Sequence, residues 1–187
     1  MTPFLAAFAA TFIAEMGDKT QLVTLTLSSR LPPRRVFLGA MAGLALVTGL
    51  GVALGGVVGE LLPPYAIALA SGIFFIVMGF FTYMRPDQGP RVKVGGRSAS
   101  LQAFGLVFVA EMGDKTQLTA LALTATFGSP LLVFAGAMLG QAINHGLAAF
   151  LGGRYLSLLS PRLLKTATLL VFLFFGLLLL YGGLQEM

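Results

Sequence analysis

The chain has 187 residues and a formal charge of +5, yet only 10% of its residues are charged, 57% are hydrophobic and the mean hydropathy is +0.90. A soluble domain carries about 25% charged residues, so these values exclude a water-soluble globule and point to an all-α integral membrane protein. Cysteine is absent, which excludes disulfides and thiolate metal sites. The basic residues lie in short loops between apolar stretches, a pattern of membrane orientation rather than of nucleic-acid binding.

Crossing a bilayer takes about 20 mostly apolar residues, and six stretches meet that requirement. The first predicted span, 3–28, has no basic region before it and does not read as a cleaved signal peptide. It carries the charged motif AEMGDKTQL at 14–22. After RLPPRR (30–35) comes the span 36–59, whose glycines in GVALGGVVG (51–59) suit close helix packing. ELLPP (60–64) separates it from the span 65–84. The segment RPDQGPRVKVGGRSAS (85–100) is the one break long and polar enough to be a linker. The fourth span, 101–125, contains the same nine-residue motif again at 110–118. FGSP (127–130) leads into the span 130–152, and SPR (160–162) into the span 163–183, where LLVFLFFGLLLL (169–180) reads as lipid-facing. These runs are too long and too continuously apolar for barrel strands, which alternate over about 10 residues.

The halves repeat. TFIAEMGDKTQL (11–22) matches VFVAEMGDKTQL (107–118) at 10 of 12 positions, GAMAG (39–43) matches GAMLG (136–140), and TGLGVALGG (48–56) matches HGLAAFLGG (145–153). The expected organisation is a three-helix repeat at 1–84, a cytoplasmic linker at 85–100 and a second three-helix repeat at 101–187. Three spans per half force the second half to insert upside down, giving inverted topology as in many secondary transporters. Outside the motifs the basic residues are Arg30, Arg34, Arg35, Arg85, Arg91, Lys93, Arg97, Arg154, Arg162 and Lys165. Six spans place all ten on one side, with Glu60 and Glu186 on the other. The positive-inside rule makes the basic side cytoplasmic. The expected location is thus the cell's inner (plasma) membrane, with both termini external.

Glu15 and Glu111 fall near the middle of their spans, where an ionisable group is costly and must face an interior or a wet cavity. On a regular helix Glu15 and Asp18, like Glu111 and Asp114, share one face. Inverted symmetry would bring the two faces together as a four-carboxylate cluster, suited to hard divalent cations. With Lys19 and Lys115 the cluster carries −2, which one divalent cation or two protons neutralise, and exchange of one for the other is the expected use. Gly17 and Gly113 allow close approach or local unwinding. Gln21 and Gln117 offer amide oxygens to the cation's shell. Thr20, Thr116, Thr48 and Asn144 are polar groups facing the interior, and His145, aligned with Thr48, stands as a hydrogen-bonding or proton-relay residue. The plain alternative is a set of intramembrane ion pairs that lock helices together.

The duplicated Glu-Met-Gly-Asp-Lys-Thr is similar to the E-x-G-D-[KR]-[ST] signature of the Gdt-type cation/proton exchangers, which include small bacterial manganese exporters and Golgi manganese/calcium–proton exchangers. The resemblance covers the whole chain, and neither motif departs from the signature. It implies export of Mn²⁺, or alternatively Ca²⁺, from the cytoplasm in exchange for protons, with Glu15, Asp18, Glu111 and Asp114 as the motif acids. The expected partners are the cation, protons and the bilayer, with no further cofactor; whether the unit is a homodimer is left open. Two other classes compete. An intramembrane lipid-phosphate hydrolase would need cationic groups for phosphate, usually Arg, and no Arg lies within a span. An open cation channel would leak inward under an inside-negative potential.

Overall fold

The computed structural model describes residues 2–84, 98–152 and 160–187. Most of the expected linker (85–97) and the basic residues Arg85, Arg91, Lys93, Arg97 and Arg154 lie outside the described residues. Among the described residues all regular structure is helical: α1 (Pro3–Glu15), α2 (Lys19–Ser28), α3 (Pro33–Leu61), α4 (Pro64–Met84), α5 (Ala99–Glu111), α6 (Lys115–Phe127), α7 (Pro130–Leu151) and α8 (Pro161–Gln185).

Four of these helices, α3, α4, α7 and α8, are long and apolar enough to cross a membrane on their own. The stretches 3–28 and 101–125, expected to be continuous, are instead interrupted at the motifs. The cause is local chemistry. Met16 (φ −65°, ψ 117°) and Gly17 (φ +74°) have the backbone of the central residues of a type II turn, closed by Asp18 N–H donating to the Glu15 carbonyl at 3.1 Å. Met112 (φ −62°, ψ 117°), Gly113 (φ +74°) and Asp114 repeat it, with a 3.0 Å bond to the Glu111 carbonyl. The third residue of such a turn needs positive φ, which glycine adopts without steric cost. The aspartate then starts the next helix in extended geometry, as an N-cap residue does.

Helix packing repeats between the halves. α7 crosses α1 where Gly136 and Gly140 meet the backbone of Phe4, Phe8 and Phe12, and α3 crosses α5 where Gly39 and Gly43 meet Ser100, Phe104 and Phe108. A methyl at Gly136 or Gly39 would collide with the carbonyl opposite, so the small residue sets the approach distance. Gly51, Gly55 and Gly59 of α3 do the same against Gln117, Leu121 and Ala125 of α6. α4 and α8 form the remaining tight pair, around Gly72, Gly79 and Gly176. The run 169–180 is not lipid-facing throughout. Phe172, Phe175 and Leu179, at helical spacing, are buried, with Phe172 edge-on to Phe75 at 5.3 Å, while Leu170, Phe174, Leu177 and Leu178 stay exposed.

Candidate cation site

The two turns meet in the middle of the bundle. Glu15 ends α1 and Glu111 ends α5, and both are fully buried. Carboxylate oxygens of Glu15, Asp18 and Glu111 lie within 4.8 Å of one another, close enough to hold one metal ion. The break changes how they converge. Glu15 and Asp18 do not share a helical face, because the turn between them separates two helices; the turn itself folds Asp18 back towards Glu15. Asp114, expected as the fourth member, has Oδ2 2.7 Å from Lys19 Nζ and is not among the three that gather.

Each motif lysine pairs across the halves. Lys115 Nζ donates to Asp18 Oδ1 at 2.5 Å in a buried pair, and Lys19 takes Asp114 in a more open one. The threonines behave otherwise: both donate to Glu15, and Thr20 lies beside Glu111 as well. Thr116 donates to Oε1, and Thr20 donates to Oε2 at 3.2 Å. Asp18 Oδ2 and both oxygens of Glu111 are buried with no hydrogen-bond partner among the described residues. An unpaired buried carboxylate costs several kcal/mol, so this corner of the site calls for a cation or a proton.

The glutamines hold the turns. Gln21 Oε1 accepts from Gly17 N–H at 2.6 Å, and Gln117 Oε1 from Gly113 N–H at 2.7 Å. Each is the third residue of its helix reaching back before the N-cap, a variant of the capping box. Gln21 Nε2 also donates to the Asn144 carbonyl at 2.8 Å. Asn144 Nδ2 donates in turn to the Phe12 carbonyl at 2.7 Å, satisfying one of the last carbonyls of α1, and its Oδ1 is unpartnered. Thr48 bonds Gln141 at 3.0 Å, not a carboxylate among the described residues. His145 is fully buried, with Nδ1 2.8 Å from Thr24 Oγ1 and Nε2 3.7 Å from Glu15 Oε2. Met112 is 44% exposed. Two residues that sequence reasoning passed over belong here: Thr24, one turn beyond Thr20 on α2, and Gln141, one turn before His145 on α7. Their positions i+4 and i−4 from site residues were the available signal.

Buried carboxylates from two broken helices, set within an all-helical apolar bundle, define a membrane protein of ion transport. The chain belongs to the divalent cation/proton antiporter GDT1 family, whose family model matches residues 3–89 and 99–187. It is similar to a GDT1-like protein of Synechocystis, at 29% identity over 179 residues covering 84% of this chain and 85% of that one. It is also similar to the chloroplastic protein PAM71 of Arabidopsis thaliana, at 31% identity over 209 residues, covering 92% of this chain but only 55% of the longer plant protein. A Vibrio cholerae protein with the provisional name of manganese exporter is 29% identical over 171 residues, covering 88% of this chain and 84% of that one. No solved structure matches significantly.

Proposed function

We propose that this protein exports Mn²⁺ from the cytoplasm across the plasma membrane in exchange for protons. The observation that carries the reading is the trio of Glu15, Asp18 and Glu111 within 4.8 Å, with three of its oxygens buried and bare. Carboxylates at that spacing suit a hard or borderline divalent ion, and the same oxygens can take protons once the ion has left. Asp114 and the two lysines complete the charge count around the trio. Gln21 and Gln117 shape the turns that deliver it.

In this reading each broken pair, α1–α2 and α5–α6, makes one pass, so that four continuous and two broken helices give six passes. Three passes per half would then invert the second half, and the positive-inside rule supports both termini outside. Broken helices at the midplane are a recurrent device for ion sites in secondary transporters. The provisional name of the Vibrio relative supports Mn²⁺ as the cargo; Ca²⁺/H⁺ exchange is the alternative.

Proteoliposomes test it. Mn²⁺ flux is expected to follow an imposed pH gradient and to bring two protons into the compartment that loses Mn²⁺ for each ion that leaves it, with little response to a potassium diffusion potential. Mn²⁺ flux indifferent to the pH gradient would sink the antiport reading in favour of a channel. Ca²⁺ carried in preference to Mn²⁺ would transfer the proposal to the alternative.

A further inference from the structure

We propose that His145 supplies a nitrogen ligand to the transported cation, sharing Glu15 with the carboxylate trio, and thereby sets a preference for a transition-metal ion over Ca²⁺ or Mg²⁺. This rests on the reading of the trio as a Mn²⁺ site. The imidazole is fully buried and its Nε2 has no hydrogen-bond partner among the described residues. Its other nitrogen is engaged, Nδ1 lying 2.8 Å from Thr24 Oγ1. When an ion is bound, Nδ1–H would donate to the Thr24 hydroxyl oxygen and leave the Nε2 lone pair towards Glu15 Oε2, 3.7 Å away; when it has left, the other tautomer points Nε2–H at that carboxylate, so the two acceptors never face each other bare.

The separation is wider than that of bound ligands. Two ligands about 2.1 Å from one octahedral centre stand about 3.0 Å apart when adjacent, so an ion would draw Nε2 and Oε2 in from 3.7 Å, with Glu15 joining His145 to the three carboxylates, since His145 is not itself among the atoms within 4.8 Å of one another. The Thr24 contact fits an ion, because a metal-ligating histidine has its second ring nitrogen held by an outer partner that fixes tautomer and orientation. The feature exists on one side only. In the repeat, position 145 corresponds to Thr48, which is bonded to Gln141. The site therefore gains one nitrogen beside its oxygens. An all-oxygen site takes Mg²⁺, Ca²⁺ and Mn²⁺ alike, whereas an imidazole favours the transition metal among them.

His145 is the single histidine of the chain, so ¹⁵N-histidine labels one ring. The test is electron spin-echo spectroscopy of Mn²⁺ bound to the purified full-length protein, with and without that label. Bound Mn²⁺ is expected to show a nitrogen coupling that switches from ¹⁴N to ¹⁵N on labelling. His145→Gln should lose the coupling and reduce the Mn²⁺-over-Ca²⁺ preference by about tenfold or more. Thr24→Val, which keeps the ring but frees it, should weaken Mn²⁺ binding by about 10–100-fold while leaving Ca²⁺ binding little changed. Bound Mn²⁺ without nitrogen coupling in the unsubstituted protein overturns the inference and leaves the Mn²⁺ reading standing; that spectrum decides even if a variant does not fold. Absence of any bound Mn²⁺ sensitive to Glu111→Gln overturns the underlying reading, and the inference with it.

Discussion

The first and second motifs are identical over nine residues and fold into the same turn, yet they sit in different surroundings. Glu15 receives both motif threonines and faces the polar side of α7, where Gln141, Asn144 and His145 lie. The corresponding residues of α3 are Leu44, Val47 and Thr48, and Glu111 is left with two bare oxygens. The first hinge is also covered, with Leu164 over Gly17 and Thr168 bonded to the Ile13 carbonyl, whereas among the described residues no side chain occupies the corresponding space at Gly113. Identical sequence thus supplies identical local geometry, and the partner helices decide what each copy does. Glu15 is the carboxylate held by hydrogen bonds, and Glu111 the one whose oxygens have none among the described residues.

The largest expected effect comes from neutralising each glutamate. Glu15→Gln and Glu111→Gln should both abolish Mn²⁺ export in proteoliposomes, since each removes a carboxylate of the trio. Their stabilities should part. Glu111→Gln removes a carboxyl that stands against the carboxylates of Glu15 and Asp18 and should raise the metal-free melting temperature. Glu15→Gln replaces an oxygen that accepts from a threonine with an amide nitrogen that cannot, and should lower it. Equal shifts in metal-free thermal denaturation would erase the distinction between the two carboxylates.

The lysines come next. Lys115, 6% exposed, pairs with Asp18, and Lys19, whose side chain is 32% exposed, pairs with Asp114. Breaking a buried pair by removing one partner costs about 3–5 kcal/mol, and breaking a fully exposed one about 0–1 kcal/mol; both pairs here are partly buried, with carboxylates 19% and 14% exposed, and differ in the lysine. Lys115→Ala should therefore unfold more readily than Lys19→Ala in detergent melts. A Lys19→Ala variant as unstable as Lys115→Ala would show that both pairs are equally buried.

Much of this was legible in the sequence. Apolar run lengths located α3, α4, α7 and α8, and the duplicated motif marked the place where buried acids converge. The interruption between Glu15 and Asp18 was harder to see, because hydropathy windows average over a two-residue turn. Gly17 hinted at it, but the decisive bond, Gln21 Oε1 to Gly17 N–H, is a capping contact that spacing alone cannot separate from a cation ligand. The asymmetry was out of reach for a different reason. It depends on which side chain of α7 meets Glu15, a tertiary fact that a comparison of the two motifs, being identical, could not contain.

Both turn glycines have φ of +74°, a region that costs an L residue about 1–2 kcal/mol. Gly113→Ala should lose that amount and no more, since a new Cβ there meets open space. Gly17→Ala should lose somewhat more, because Leu164 must also move aside. Chemical denaturation of the two variants checks the order. If Gly113→Ala proved the more damaging, the second hinge would be covered by something that the described residues do not supply.

The smallest expected effect probes the cover over the first hinge. Thr168 stands seven residues into α8 as Ser71 stands seven residues into α4. Thr168 Oγ1 donates at 3.2 Å to the Ile13 carbonyl, one of the last four of α1 and hence without a partner inside that helix. Ser71 Oγ reaches the Ala122 carbonyl at 3.5 Å, a group in the middle of α6 that also accepts from Thr126 at 2.8 Å. Thr168→Val preserves shape but leaves a buried carbonyl unsatisfied, which costs about 1–3 kcal/mol. Ser71→Ala removes a marginal bond to an acceptor already served and a 3.2 Å bond from Thr126, whose hydroxyl keeps the Ala122 carbonyl, and should cost only about 0.5 kcal/mol. For a chain of this size about 1 kcal/mol moves the melting temperature by about 2–4 °C, so the two variants should be distinguishable. Equal melting temperatures would mean that α8 does not hold the end of α1, and that the cover over the first hinge is packing alone.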